Sequence, residues 1–135
     1  ITLSFYGNQP NDHTDLTGHL AQAAGASGPL RLRLRGAGSF ANRVLWTGVG
    51  GDIRELKALM ADTVIDLDNP PPAQKPHVTI ARTRERWLVA ELVHALLVYE
   101  GPEFLCEELV LMESRLGEGR SGGSRYDILE RIRLG

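Results

Sequence analysis

Cysteine is almost absent. Cys106 is the one cysteine in 135 residues, which excludes an internal disulfide and makes a reducing, cytoplasmic setting the expectation. Cysteine and histidine never cluster at zinc-ligand spacing, so no metal and no other cofactor is expected. Long apolar runs are missing as well: the most hydrophobic window, Trp87 to Val98, is interrupted by Glu91 and His94 and is far too short to cross a bilayer. Strong charge of one sign is lacking, and a formal net charge of −2 excludes a surface that coats nucleic acid generically while leaving room for a small basic site. The Gly117 to Gly123 loop carries Arg120 but not the Gly-x-x-x-x-Gly-Lys pattern of a nucleotide-triphosphate loop. No solenoid-length repeat is visible. The chain does not begin with methionine, so an upstream segment is expected, and the lack of a signal-peptide pattern excludes nothing.

What is present fits one soluble globular domain, residues 1–135, because 42% hydrophobic and 24% charged residues are enough for a real core with a solvated surface. The most informative stretch is His77-Val78-Thr79-Ile80, between Lys75-Pro76 and Ala81-Arg82. It sets an imidazole, a hydroxyl and a guanidinium close together. In an extended strand side chains alternate, so His77 and Thr79 project to one face while Val78 and Ile80 project to the other, where they can be buried. Pro76, with fixed φ and no N–H, suits the start of a strand. Arg82 lies an odd number of positions from His77, and strict alternation sends it to the wrong face; a bulge or the strand's end must re-aim it.

The first residues, Ile1-Thr2-Leu3-Ser4-Phe5-Tyr6-Gly7, alternate apolar and hydroxyl side chains, and Thr2 stands between Ile1 and Leu3 as Thr79 stands between Val78 and Ile80. A second strand is expected there, and the matching histidine would fall immediately before Ile1. Beyond it, Asp12 to Ala24 has helical periodicity through Leu16, Leu20 and Ala23 or Ala24. Leu30 to Arg35 alternates leucine and arginine with period two, a strand, and Arg43 to Val49 is the next. Asp52 is the expected cap of a helix to about Thr63, with Ile53, Leu56 and Met60 inward. A helix from about Thr83 to Tyr99, with Leu88, Leu92 and Leu96 inward, stops at Gly101-Pro102. Strands at Glu108 to Ser114 and Arg125 to Arg133 close the chain. The order predicts an α+β fold with antiparallel sheets.

With its Pro-His-Val-Thr-Ile-Ala-Arg segment, the matched Thr2 segment, Arg43-Val44-Leu45-Trp46, and Leu109 to Leu116 followed by Tyr126, the chain resembles the 2H phosphoesterases. These carry two His-x-Thr-x motifs, and the branch it resembles is the RNA 2′,3′-cyclic phosphodiesterases, also called 2′-5′ RNA ligases. The resemblance covers essentially the whole chain. It implies a two-lobed fold, with antiparallel sheets lining a central cleft and helices outside, acting as a monomer on RNA ends that bear a 2′,3′-cyclic phosphate. It implies that His77 activates water and that the histidine expected before Ile1 protonates the 3′ oxygen, leaving a 2′-phosphate. Thr2, Thr79 and Arg82 would hold the phosphoryl oxygens, and Phe5 would lie against the terminal base or ribose. Two histidines suit such chemistry, since imidazole's ordinary pKa lets one act neutral and the other protonated near pH 7.

Plainer readings stand beside these. His77 alone is a strand histidine satisfied by a backbone carbonyl, either threonine is β-branched filler, and Arg82 is a solvated strand-end charge. Phe5 reads equally as core, and core is preferred for Trp46. The Arg31, Arg33, Arg35 stripe reads as a solvated face, His94 as an interior or boundary residue, and Cys106 as a small buried hydrophobe. His13 and His19, six apart, do not share a helical face. The alternatives to an enzyme are a noncatalytic module that binds RNA ends or nucleotides, and a structural α+β domain.

Overall fold

The computed structural model describes residues 1–135 and has three α-helices and six strands. In chain order these are α1 (Thr14–Ala26), β1 (Leu30–Phe40), β2 (Val44–Gly51), α2 (Ile53–Asp62), β3 (His77–Arg82), α3 (Arg86–Leu96), β4 (Phe104–Cys106), β5 (Glu108–Arg115) and β6 (Arg125–Arg133). The class is α+β, with every strand pairing antiparallel. The chain divides into two compact units: Ile1–Phe5 with Leu30–Cys106, and Tyr6–Pro29 with Glu107–Gly135.

The first unit is built on a four-stranded sheet in the order β3-β2-β1-β4. The alternation in β1 buries Leu30 and Leu32 on one face and leaves Arg31 and Arg35 exposed. Leu45 and Thr47 of β2 are buried with them. α2 and α3 pack on the sheet, contributing buried Leu56, Leu59 and Val89. Burying an aliphatic side chain of this size stabilises a fold by about 1.5–3 kcal/mol. In the second unit α1 lies on the β5–β6 hairpin, and its Leu20, Ala23 and Ala24 are buried along with Leu109, Leu111 and Leu134.

Several expectations shift. Ile1 to Gly7 is not a strand: a strand needs a neighbour for its backbone groups, and β3 and β4 form the edges of the sheet without pairing to this segment. The segment is tied down instead by a hydrogen bond between the Ser4 and Thr63 hydroxyls at 2.7 Å. α1 begins two residues after Asp12, whose carboxylate accepts from the Thr14 N–H at 3.0 Å and the Thr14 hydroxyl at 2.6 Å, bonds that lower its pKa. Asp52 does not cap α2 with its side chain; the carboxylate accepts the Arg31 N–H at 2.8 Å, tying the helix start to β1. In α2 the second buried residue is Leu59, with Met60 half-buried. α3 is shorter than expected, and its inward stripe is Leu88, Val89, Val93 and Leu96, leaving Leu92 36% exposed. His94 is exposed too, rather than interior or boundary. β1 runs past Arg35 to Phe40, and β4, a strand of three residues, pairs with Leu30 to Leu32.

Candidate active site

Strand register decides which side chains meet. In an antiparallel pair, residues directly opposite point to the same face. β2 and β3 pair Gly48 with His77, Trp46 with Thr79, Leu45 with Ala81 and Val44 with Arg82. Ile80 is therefore the extra residue of a β-bulge, and the bulge resets the alternation. His77, Thr79 and Arg82 accordingly share one face, with Val44, Trp46 and Gly48 of β2. The odd spacing of Arg82 from His77 is resolved in the way the sequence required. Ile80, the displaced residue, is 51% exposed rather than buried.

A second bulge brings β1 into the same face. Arg35 opposes Gly48, Gly38 opposes Trp46 and Phe40 opposes Val44, so Gly36 and Ala37 together face Thr47. Gly36 takes a φ of +63° there, a left-handed conformation that glycine adopts at no steric cost. The buried Thr47 hydroxyl donates to the Gly36 carbonyl at 2.8 Å, fixing the bulge. Gly38 lies under the Trp46 ring so closely that a Cβ would collide with its Cζ2, Cη2 and Cε2.

His77 is walled by aromatics. Its ring centroid lies 5.1 Å from that of Phe40, edge-on, and 5.9 Å from that of Trp46. Phe40 and Trp46 are themselves 5.6 Å apart, and the Lys75 ammonium lies 5.5 Å from the Trp46 ring centroid. Trp46 is thus a half-buried wall of the site rather than core. His77 Nδ1 is 2.8 Å from the Lys75 carbonyl oxygen. A carbonyl only accepts, so in this bond Nδ1 carries the proton and Nε2 of the neutral ring keeps its lone pair. The plainer reading, a histidine satisfied by a backbone carbonyl, thus describes one nitrogen and leaves the other available for proton transfer.

The charges on this face are uneven. Arg31 and Arg33 are occupied in surface ion pairs, Arg31 with Glu103 at 3.4 Å and Arg33 with Glu100 at 3.1 Å and Glu103 at 3.7 Å, as suits the solvated reading of that stripe. Arg35, Lys75 and Arg82 take part in none of the protein's ion pairs. They leave a locally positive surface on a chain of net negative charge. No group of three His, Cys, Asp or Glu side chains is placed to hold a metal ion.

Of the residues singled out in the sequence, His77, Thr79 and Arg82 come together. Thr2 and Phe5 lie in the same unit; both are exposed, Phe5 at 83%, and Phe5 is not core. Phe40 and the Gly38 and Gly48 positions were missed, because only the register shows that Gly48 opposes His77 and that Gly38 and Phe40 oppose Trp46 and Val44 on the same face. In the second unit His13 Nε2 is 3.8 Å from Glu130, and the buried His19 Nε2 has no hydrogen-bond partner. Cys106 is half-buried, and burial raises its thiol pKa.

The sequence pattern of the 2′-5′ RNA ligase superfamily matches residues 1–118. The chain belongs to the 2′-5′ RNA ligase superfamily. As a member of this 2H phosphoesterase group, it is similar in structure to TT0787 of Thermus thermophilus, with 27% identity and a TM-score of 0.67 over 98% of this chain and 76% of that one. It also has the fold of Escherichia coli LigT. The NADP⁺ complex of LigT matches at 23% identity and a TM-score of 0.67, covering 98% of this chain and 74% of that one. Its 3′-AMP complex matches at 23% identity and 0.64, over 98% and 75%. A search of curated proteins finds no match.

Proposed function

We propose that this superfamily member is a metal-independent hydrolase that opens RNA 2′,3′-cyclic phosphate ends to 2′-phosphates by two-histidine acid/base catalysis, with 2′-5′ RNA ligation as the reverse-type reaction. The observation that carries this reading is the single sheet face on which the Ile80 bulge aligns Arg82 with Thr79 and with His77, whose Nδ1 is held by the Lys75 carbonyl. His77 Nε2 takes a proton from water as the water oxygen attacks phosphorus. The bond from phosphorus to the 3′ oxygen breaks, and that oxygen is protonated by a histidine immediately upstream of Ile1. Each histidine contributes roughly 10²–10⁴ in rate. Arg82 and the hydroxyls of Thr79 and Thr2 hydrogen-bond the nonbridging oxygens as charge builds on them, and Phe5, free in solvent, closes on the terminal base or ribose.

The protein acts as a monomer, and in the cytoplasm, whose reducing setting suits the lone cysteine. No helix is long and apolar enough to cross a membrane. The test is turnover of a short RNA with a 2′,3′-cyclic phosphate by the chain extended upstream of Ile1, with EDTA present. Conversion to the 2′-phosphate end is expected. Binding of the RNA end without turnover would replace the enzyme by a noncatalytic RNA-end-binding module.

A further inference from the structure

Along the site face of β2, the residues after Val44 and Trp46 are Gly48 and Gly50, so beyond the Trp46 ring β2 itself contributes no side chain. This bare strip is the floor of a cavity of about 470 Å³, lined by Arg35, Trp46, Gly48, Gly50, Lys75 and Leu97 among others. Packing requires glycine at position 48, where a Cβ would stand 2.9 Å from the Arg35 carbonyl oxygen, whereas a Cβ at Gly50 would stand 2.6 Å from Cδ of the flexible Arg35 side chain, which can move aside. The second distance also shows that the Arg35 stem runs over the strip.

Arg35, Gly48 and His77 occupy one row across three neighbouring strands. At about 4.8 Å per strand, the row places Arg35 roughly 10 Å from His77, backbone to backbone. One nucleotide step plus an arginine side chain covers that span. Two cations without carboxylate partners, Arg35 and Lys75, therefore border a strip to which β2 contributes no side chain, with the Trp46 indole at one end and the candidate base beside Gly48. Phosphodiester oxygens suit the cations, and a flat ring suits the indole.

We propose that this cavity is a second-nucleotide subsite, which takes the phosphodiester one residue upstream of the cyclic end on Arg35 and Lys75, with the attached nucleoside against Trp46. The inference rests on the proposed hydrolase reading, and it gives the protein a preference for RNA ends of two or more nucleotides over cyclic mononucleotides.

The test compares kcat/KM for a dinucleotide ending in a 2′,3′-cyclic phosphate with that for the cyclic mononucleotide, using the upstream-extended chain and its Arg35→Gln, Lys75→Gln double variant. The dinucleotide is expected to be the better substrate, and the ratio is expected to fall about tenfold in the variant. An equal loss on both substrates, or no dinucleotide preference in the wild type, overturns the subsite. If the wild type turns over neither substrate, the hydrolase reading fails and the subsite is decided by binding. A dinucleotide carrying a 2′-phosphate should then quench Trp46 fluorescence in a Trp87→Phe background, and the double variant should weaken that binding about tenfold. Unweakened binding overturns the proposal.

Discussion

Replacing Gly38 by alanine should damage the site while sparing the fold. Gly38 lies in β1 outside the left-handed region, so alanine fits the backbone, and replacing a strand glycine returns about 0.5–1 kcal/mol. The added methyl meets the Trp46 ring, with Cη2 at 2.5 Å and Cε2 at 2.7 Å. Carbon atoms rest at about 3.5–4.0 Å, so the ring must retreat by at least about 1 Å. Overpacking of this kind costs about 1–3 kcal/mol; net of the backbone gain the loss is about 0–2.5 kcal/mol, against a typical domain stability of about 5–15 kcal/mol. Trp46 and Phe40 are the ring walls of His77, and a misplacement of about 1 Å at a reacting group can lower the rate about 10²-fold. Urea unfolding would measure the stability, Trp46 emission in a Trp87→Phe background would report the ring's shift, and cyclic-phosphate turnover would report the site. Wild-type turnover in a variant whose Trp46 emission has shifted would refute the role given to the aromatic wall.

Three further outcomes follow from the same geometry. Arg82→Lys should lower kcat/KM roughly tenfold or more, because an ammonium keeps the charge but loses the planar fork; steady-state kinetics equal to wild type would remove Arg82 from the phosphate contacts. Thr47→Val deletes the buried hydroxyl that holds the Gly36 carbonyl and should lower stability by about 1–3 kcal/mol, seen as a lower urea midpoint at unchanged slope. In two-bond ¹H–¹⁵N spectra of the neutral protein, His77 should carry its proton on Nδ1. The Nε2–H tautomer would contradict the Lys75 carbonyl contact.

Much of this arrangement was legible in the sequence where local pattern and tertiary need agree. The leucine and arginine alternation marks β1, the His77 strand starts where Pro76 suggests, and β6 spans the expected Arg125–Arg133. Parity alone demanded a re-aimed Arg82. Its means, the bulge at Ile80, depends on which β2 residue opposes which β3 residue, and no local pattern carries that information. The same holds for Phe40, which reaches His77 only because Gly36 and Ala37 absorb an extra position in β1. Ile1 to Gly7 alternates as a strand does, yet the pattern cannot supply the neighbouring backbone a strand requires. Leu92 of α3 was misassigned because the face that packs on β1 and β2 is centred on Val89, with Leu88, Val93 and Leu96 beside it.

The most direct measurement is turnover of a 2′,3′-cyclic phosphate RNA end, in EDTA, by the upstream-extended chain and its His77→Ala variant. Two-histidine catalysis predicts conversion to a 2′-phosphate by the wild type and a loss of about 10²–10⁴-fold in the variant. Undiminished turnover without the His77 imidazole would contradict it.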